Sequence, residues 1–323
     1  MRRTSAAILL SFAILTALFA DDKKDDPSQI GNRDVGKGLN CYSIEKEIAM
    51  GKQLAGEVSR QAKMVDDATI TEFVNRVGQN LARNSDAKVP FTFQVIDDSS
   101  LNAFALPGGY VFVNSGLLTA AETEAEMASA MAHEIAHVAA RHMTRQACQA
   151  QIANIATLPL IFLGGWGGYA ARQAASAAIP MTFLSFTRAH EAEADYLGVQ
   201  YLYAAGYDPT AAIDMFEKMM SLQRRKDGGI ARVFATHPMN EDRLKKTQAE
   251  IAKILPQKSE YVVSTSEYTA VRDRWLAIEN ARRTRSVEKD AKAPVLRRAP
   301  GSGAPDDSTA DDKPTIKRRD LEE

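Results

Sequence analysis

Apolar residues recur every three to four positions along most of this chain, a spacing that predicts amphipathic helices. The first such helix should begin near Ser43, where Ile44 and Ile48 start an apolar face. The same spacing predicts further helices at about 67–84, 187–205, 209–225, 239–254 and 267–283. The chain is therefore predicted to be mainly helical.

One stretch alternates apolar and polar residues instead, as strands do. Phe91–Ile96 should form one strand, and Asn102–Leu106 and Tyr110–Asn114 should pair across the turn residues Pro107–Gly109. A last short strand is expected at Tyr261–Val263. Together with the helices, these strands predict an α+β fold with a small antiparallel sheet.

A long helix rich in Ala and Met should follow the strand pair directly. Thr119 and Glu122 have the spacing of a capping box, in which two side chains satisfy backbone N–H groups at a helix start. We therefore expect one helix from this point to about Gln149, with the small sheet next to it.

Composition and charge exclude several classes of protein. With 45% apolar and 25% charged residues among 323, the chain has enough material for a folded core. Its 40 basic and 41 acidic residues leave a net charge of −1, so we expect no nucleic-acid partner. Two cysteines, Cys41 and Cys148, are too few for a disulfide-rich scaffold or a cysteine-built zinc site. They could pair in an oxidising compartment or remain separate buried thiols.

The first 20 residues have the features of a secretory signal peptide. Arg2 and Arg3 precede a charge-free, mostly apolar run at Ala6–Phe19, and the small residue Ala20 follows. The run is shorter than the ~20 residues that a membrane-spanning helix needs. We expect cleavage after Ala20 and export, into the periplasm if the source is bacterial; a retained anchor is the alternative.

The candidate chemistry lies inside the long helix, at His133-Glu134-Ile135-Ala136-His137. A spacing of four places both imidazoles on one helical face, where they can share a metal ion. Glu134 lies beside them and could take a proton from metal-bound water. Two histidines that bind nothing would be the alternative interpretation.

A third ligand must come from elsewhere in the chain. The metzincin continuation is excluded, because Ala140 and Met143 stand where that motif needs Gly and His, and His142 is one place out of register. A carboxylate on a later helix remains. Residues 190–195 offer three, and two of them, Glu191 and Asp195, share a helical face, so one could bind metal while the other orients a histidine.

At this point the sequence resembles a known family, the zinc peptidases of metallopeptidase family forty-eight. This family includes HtpX, BepA, LoiP, the Oma-type mitochondrial proteases and the CaaX prenyl-protein endopeptidases. The resemblance runs from about Ser43 to Arg243 and implies a gluzincin metalloprotease fold. It rests on five segments: Glu45–Gly51, Asn102–Gly109, His133–His137, Arg188–Asp195 and Thr236–Pro238.

The resemblance also implies roles for individual residues at the metal. His133, His137 and Glu191 would bind one zinc ion per chain, and Glu134 would act as general base. Asp195 would hold a ligand from behind.

Further residues are expected around the substrate. Asn102, Ala103 and Phe104 would belong to an edge strand that pairs with an extended substrate. His237 would cap the open metal position or steady the reaction intermediate, and Arg243 would stabilise the developing oxyanion.

With the resemblance, the chain divides into five segments. We expect a signal peptide at 1–20, a flexible lead-in at 21–42 and the zinc metallopeptidase domain at 43–256. A strand and helix extension follows at 257–284. Residues 285–323 contain four prolines and no aromatic residue, which predicts a disordered tail.

The expected function is zinc-dependent endoproteolysis of misfolded or unfolded exported or membrane-associated proteins, with extended polypeptides as partners. A zinc-dependent chaperone that holds substrates in the same groove without cutting them is the competing hypothesis. An aminopeptidase would need a site for a free amine, which we cannot identify. The apolar, Gly-rich residues 152–179 suit a flap over the cleft or a peripheral membrane contact.

Overall fold

The computed structural model describes residues 25–162, 186–224, 237 and 239–291. The predicted signal peptide, most of the predicted flap and residues 292–323 lie outside the described residues. One compact unit extends to Glu279, and a second unit begins at Asn280 and includes the last turns of the final helix.

Helices make up most of the described structure, which confirms the mainly helical α+β fold. Nine α-helices are described: α1 Ile44–Gln61, α2 Ala68–Arg83, α3 Ser115–Ala120, α4 Glu124–Ala139, α5 His142–Phe162, α6 Arg188–Ala204, α7 Ala211–Arg224, α8 Glu241–Ile254 and α9 Ser266–Ala291. The strands are β1 Thr92–Ile96, β2 Ala103–Leu106 and β3 Tyr110–Asn114. Among these helices, none combines the length and the apolar content needed to cross a membrane.

The sheet is small, as predicted, but it is mixed where an antiparallel sheet was expected. Its order is β1-β3-β2, with β2 antiparallel and β1 parallel to the central strand β3. The chain reverses twice, once between β1 and β2 and once between β2 and β3. The first and third strands therefore run in the same direction, and their pairing is parallel. This order leaves β2 at one edge of the sheet.

Helix α4 lies at the centre of the core and is buried on most of its surface. Its Ala and Met residues allow close approach of the neighbouring elements, and Met127, Met131 and Ile135 are fully buried. Strand β2 and helix α2 pack against it, as do α6 and α7. A side chain on α4 is therefore held by neighbours from several directions.

Helix α4 begins later than its predicted capping box. The N-cap is Thr123, whose side chain accepts from the Glu126 N–H, while the Glu126 carboxylate accepts from the Glu122 N–H at 2.8 Å. Thr119 lies in the short helix α3, and Ala121 is extended after it. The predicted box was therefore wrong by four residues, because a break between two helices precedes the true cap.

The predicted long helix also breaks after Ala140. Arg141 adopts a left-handed backbone conformation with φ of 56°, which is uncommon for a residue other than Gly. Its guanidinium donates to Glu47 Oε1 at 2.8 Å and to the Tyr42 carbonyl oxygen at 2.6 Å. These bonds to the buried Glu47 and to the Tyr42 backbone stabilise the break, and the chain turns into α5 instead of continuing α4.

Residues 25–42 pack on the domain, which contradicts the predicted flexible lead-in. Arg33 forms a buried ion pair with Asp86, and Val35 is 2% exposed. Cys41 and Cys148 form a disulfide that joins this segment to α5. Polar side chains of this segment, such as Arg33 and Asn40, bond to buried partners that the fold supplies.

Two features near the C-terminal end of the described chain differ from the prediction. In place of a strand at Tyr261–Val263, Val262 forms a single bridge with Tyr207. Tyr207 follows the left-handed Gly206 in a tight turn, so the extended pairing ends there. Helix α9 continues to Ala291, past the residue at which we placed the start of the tail.

Gly51 is required where α1 crosses the turn before β3. A Cβ at this position would lie 1.7 Å from the Pro107 carbonyl oxygen, whereas a Cβ at Gly56 on the same helix would meet nothing closer than 3.6 Å. We predict that Gly51→Ala lowers the free energy of unfolding by about 3 kcal/mol through overpacking. Gly56→Ala should raise it by about 0.5–1 kcal/mol. Urea unfolding of both variants tests this, and equal stabilities would contradict the close packing.

The disulfide should contribute strongly to stability because it closes a long loop. The two cysteines are 107 residues apart, and cross-linking a loop of that size lowers the entropy of the unfolded chain enough to raise the free energy of unfolding by about 5 kcal/mol. We expect a reductant to lower the urea midpoint of the wild-type protein and to leave a Cys41→Ser/Cys148→Ser variant unchanged. A wild-type midpoint that does not respond to the reductant would contradict the bond.

Candidate metal centre

Four buried side chains meet at one point beside α4. His133 and His137 come from α4, Glu191 comes from the first turn of α6, and His237 comes from the residues before α8. Each offers one ligand atom, and these atoms all lie within 4.8 Å of one another. The set could hold a metal ion.

The donor atoms of these side chains face one another around one centre. His133 Nε2 lies 3.1 Å from His137 Nε2, so two ring nitrogens face each other. The Glu191 carboxylate faces both, with Oε1 at 3.4 Å from His137 and Oε2 at 3.5 Å from His133. Nitrogen and carboxylate donors around one centre are the set that Zn²⁺ takes in proteins.

Local structure explains why these residues meet. The spacing of four places His133 and His137 one helical turn apart on α4. Thr187 caps α6 by accepting from the His190 N–H at 3.2 Å, which places Glu191 in the first turn of that helix. Gly198 lets α6 approach α4 closely, since a Cβ there would lie 3.2 Å from the His133 Cα.

Asp195 and Arg243 hold the centre from behind. Asp195 Oδ1 lies 3.1 Å from His133 Nδ1, the ring nitrogen that faces away from the cluster. Arg243 donates to both Asp195 oxygens at 2.7 and 2.8 Å, and its Nη1 lies 2.8 Å from Glu191 Oε2. One guanidinium therefore joins two carboxylates, and each of these also contacts His133.

Because the cluster is buried, each charge in it needs a nearby group of opposite charge or a hydrogen bond. Burial raises the pKa of Glu191, but hydrogen bonds from His133, His137 and His237 outweigh it and hold that pKa far below its usual range. Burial lowers the pKa of His133, but bonds to Asp195 and Glu191 raise it to about 10. Two buried carboxylates thus favour a positive charge at the centre. A divalent cation would supply it, so the residues fit a metal.

Glu134 lies next to the donor set, and a backbone N–H group holds its carboxylate in place. Its Oε2 accepts from the Ala105 N–H at 3.0 Å, and its Oε1 lies 3.5 Å from His237 Nε2. Burial raises the pKa of Glu134. The carboxylate is thus held beside the cluster without belonging to it.

His237 contributes one of the donor atoms of the cluster. Its Nδ1 lies 2.9 Å from Glu191 Oε1 and 3.4 Å from His133 Nε2. Sequence analysis had placed this residue near the metal as a cap or a catalytic group. Its position among the donors fits the cap.

The edge strand β2 presents alternate residues to the cleft. The Asn114 N–H donates to the Asn102 carbonyl oxygen at 2.9 Å, and Phe104 is in register with Phe112, so these residues face β3. By the alternation of antiparallel pairs, the backbone groups of Ala103 and Ala105 face outward. Of the predicted segment Asn102–Phe104, it is therefore Ala103 that presents its backbone to the cleft.

An open cleft runs beside this strand. It is bordered by His133, Glu134, His237 and Arg243 and by the apolar residues Leu101, Ala103, Leu117, Ala130, Met215, Phe216, Met219 and Met239. Of the predicted site residues, His133, Glu134, His237, Arg243, Asn102 and Ala103 border this cleft. Phe104 packs against Phe112 instead.

Two residues in contact with the cluster were missed by sequence analysis as site residues. His142 Nδ1 lies 2.9 Å from His137 Nδ1, and the Phe186 ring stacks on His137 with ring centroids 4.0 Å apart. His142 was visible as a histidine out of register for metal binding. No pattern in the sequence singles out Phe186.

Comparison with known proteins agrees with this arrangement. The sequence profile of peptidase family M48 matches residues 68–251, more than half of the chain. The chain belongs to peptidase family M48. The match begins with α2 and ends within α8, so it contains every donor of the cluster, and the resemblance seen in the sequence motifs is confirmed.

Individual M48 relatives are similar over most of the chain. A beta-barrel assembly-enhancing protease of Escherichia coli O157:H7 is 32% identical over 256 residues, which are 76% of this chain and 51% of the relative. That of Yersinia pestis is 28% identical over 85% of this chain and 58% of the relative. The mitochondrial metalloendopeptidase OMA1 of Schizosaccharomyces pombe is 32% identical over 55% of this chain and 52% of the relative. The chain spans about half the length of these relatives.

The donor set of this M48 chain predicts a metal dependence of stability. An ion that binds the folded state raises the unfolding midpoint by mass action. We expect zinc added to metal-free protein to raise the thermal midpoint, and Glu191→Ala to abolish that rise because one donor is lost. Glu217→Ala removes an exposed carboxylate on α7 and should keep the rise. A zinc-dependent midpoint in Glu191→Ala would exclude Glu191 as a ligand.

Proposed function

We propose that this M48 member is a zinc-dependent metalloendopeptidase that hydrolyses internal peptide bonds of extended polypeptides. His133, His137 and Glu191 would hold one zinc ion, which when bound polarises the scissile carbonyl and lowers the pKa of water. The observation that carries the proposal is the position of Glu134. A carboxylate fixed beside an N/O donor set, but outside it, is what general-base hydrolysis requires.

In the proposed reaction Glu134 moves the proton. Its Oε2 is anchored by the Ala105 N–H at 3.0 Å, which aims the other oxygen at the cleft. The carboxylate would accept a proton from the attacking water and deliver it to the leaving amine. Because the anchor comes from strand β2, the base and the substrate strand would share one rigid support.

Strand β2 would bind the substrate through its backbone. Ala103 faces outward at the sheet edge, so an extended peptide could add to the sheet there. Backbone hydrogen bonds are indifferent to side chains, which supports unfolded or extended chains as substrates. The mostly apolar lining of the cleft would accept the exposed apolar residues of such chains.

His237 and Arg243 would have supporting roles. His237 Nδ1 lies among the donors, so this side chain would cap the open metal position at rest or steady the reaction intermediate. Arg243 borders the cleft and could stabilise the oxyanion, while its bonds to Asp195 and Glu191 keep both carboxylates in place.

The biological setting we propose is quality control of exported proteins in the periplasm. The predicted signal peptide supports export, and the name of the Escherichia coli relative refers to beta-barrel assembly. Misfolded exported or membrane-associated proteins would be the substrates. A peripheral membrane contact through residues 152–179 would bring the site close to them.

The competing function is a zinc-dependent chaperone that uses the same groove. Glu134 distinguishes the two, because holding a peptide requires the groove and the edge strand, whereas cutting it also requires a base. Positioned acid–base catalysis contributes roughly 10²–10⁴-fold to rates. We therefore expect Glu134→Gln to lower cleavage of an unfolded protein such as casein by at least about 10²-fold. Bound zinc should stay near one per chain.

The control for this experiment is Glu122→Gln, which alters a carboxylate that is 75% exposed and outside the cleft. Its cleavage rate and zinc content should equal those of the wild type. Cleavage at the wild-type rate by Glu134→Gln would overturn the proposed mechanism. Substrate binding without zinc-dependent cleavage by the wild-type protein would favour the chaperone.

A further inference from the structure

We infer that His142 and Glu193 form a hydrogen-bonded relay that fixes the tautomer and orientation of the ligand His137. This inference rests on the proposed zinc site and adds two positioning residues to it. Neither residue is among the four donors of the cluster. Glu193 lies between Glu191 and Asp195 in the sequence but serves a different histidine.

The relay consists of three side chains in a row. His137 Nδ1 lies 2.9 Å from His142 Nδ1, and His142 Nε2 lies 3.2 Å from Glu193 Oε2. His142 is fully buried, so its two ring nitrogens depend on these protein partners. Arg145 Nη1 lies 3.6 Å from the same Glu193 oxygen.

Proton positions along this row follow from its ends. Glu193 as a carboxylate accepts, so His142 Nε2 must carry the hydrogen and its Nδ1 is left as an acceptor. His137 Nδ1 must then donate to it, which leaves His137 Nε2 with a lone pair. That nitrogen is the one that faces His133 and Glu191. The relay thus prepares the atom that a metal needs.

The break after α4 brings His142 to this position. In a continuous helix, residues five apart lie about 140° apart around the axis and do not face each other. The left-handed backbone of Arg141, with φ of 56°, turns the chain so that the His142 ring reaches the His137 ring. The Arg141 bonds to Glu47 and Tyr42 therefore support the relay from the N-terminal segment.

His133 has a corresponding neighbour in Asp195, whose Oδ1 lies 3.1 Å from its Nδ1, so each ligand histidine on α4 has a polar side chain beside its outer nitrogen. Such partners orient a ligand and raise its basicity, and their loss costs roughly 10–100-fold in metal affinity. We expect a loss of this size when the acceptor at position 142 is removed.

The test compares two substitutions of nearly the same shape in the full chain. His142→Leu removes the acceptor, whereas His142→Asn keeps a carbonyl oxygen near the place of Nδ1. Zinc affinity is measured by competition with a chromophoric chelator, without substrate. His142→Leu should bind zinc about 10–100-fold more weakly than the wild type, and His142→Asn should recover a large part of the loss.

A matched control addresses packing. His190 stacks on His142 with ring centroids 4.5 Å apart, and His190→Phe keeps a ring there without entering the relay. Its zinc affinity should equal that of the wild type. Thermal unfolding of the metal-free forms should show similar midpoints for the Leu and Asn variants at position 142, which separates packing from hydrogen bonding.

Two outcomes would overturn the relay. One is a wild-type zinc affinity in His142→Leu, and the other is an equal loss in the Leu and Asn variants. The proposed function fails differently, by an absence of cleavage in a wild-type protein that binds zinc. If zinc affinity depends on the acceptor at position 142 but the protein cuts no substrate, the relay is supported and the proposed peptidase function is contradicted.

Discussion

The structure depends on one constraint, which is that several ionisable side chains are buried around a single point. An unpaired charge in such a place costs several kcal/mol, so each group needs a partner of opposite charge or a hydrogen bond. Glu191 satisfies this through the histidines and Arg243, and Asp195 through His133 and the same guanidinium. The close packing of α4 against α6 follows from the same need.

The constraint extends outward to parts of the chain that seem remote in sequence. Glu47 on α1 holds the left-handed Arg141, and this turn divides two helices at the end of the metal-binding segment. The Cys41–Cys148 disulfide ties the segment before α1 to the helix after the turn. The N-terminal residues therefore pack as part of the domain, and they support the geometry of His142 and His137 from behind.

Sequence was sufficient for features that local periodicity determines. A spacing of four on a helix places His133 and His137 together whatever surrounds them, and the resemblance to a peptidase family supplied Glu191 and His237. The residues alone did not decide whether Glu191 or Asp195 binds the metal, because both lie on one helical face. Their separation into a donor of the cluster and a partner of His133 depends on how α6 crosses α4, which is a tertiary property.

Other features had no adequate local signal. The break at Arg141 reflects bonds to distant residues such as Tyr42, and the parallel pairing of β1 reflects chain direction over two reversals. The cap at Thr123 is local, since Thr123 and Glu126 have the capping-box spacing themselves, and the prediction chose the earlier Thr119 instead. The N-terminal segment was predicted to be flexible, because the sequence does not show the partners of its polar residues. The fold provides them, as it provides Asp86 for Arg33. His142 was considered as a ligand and excluded by its register, and its contact with His137 arises from the break.

The central claim is that one zinc ion binds among His133, His137 and Glu191 with nitrogen and oxygen donors. Anomalous diffraction at the zinc edge from crystals of the purified protein tests it most directly. The account predicts one strong peak per chain, about 2.0–2.2 Å from the two histidine Nε2 atoms and a Glu191 oxygen. A protein saturated with zinc that shows no peak there, or a peak elsewhere alone, would contradict it.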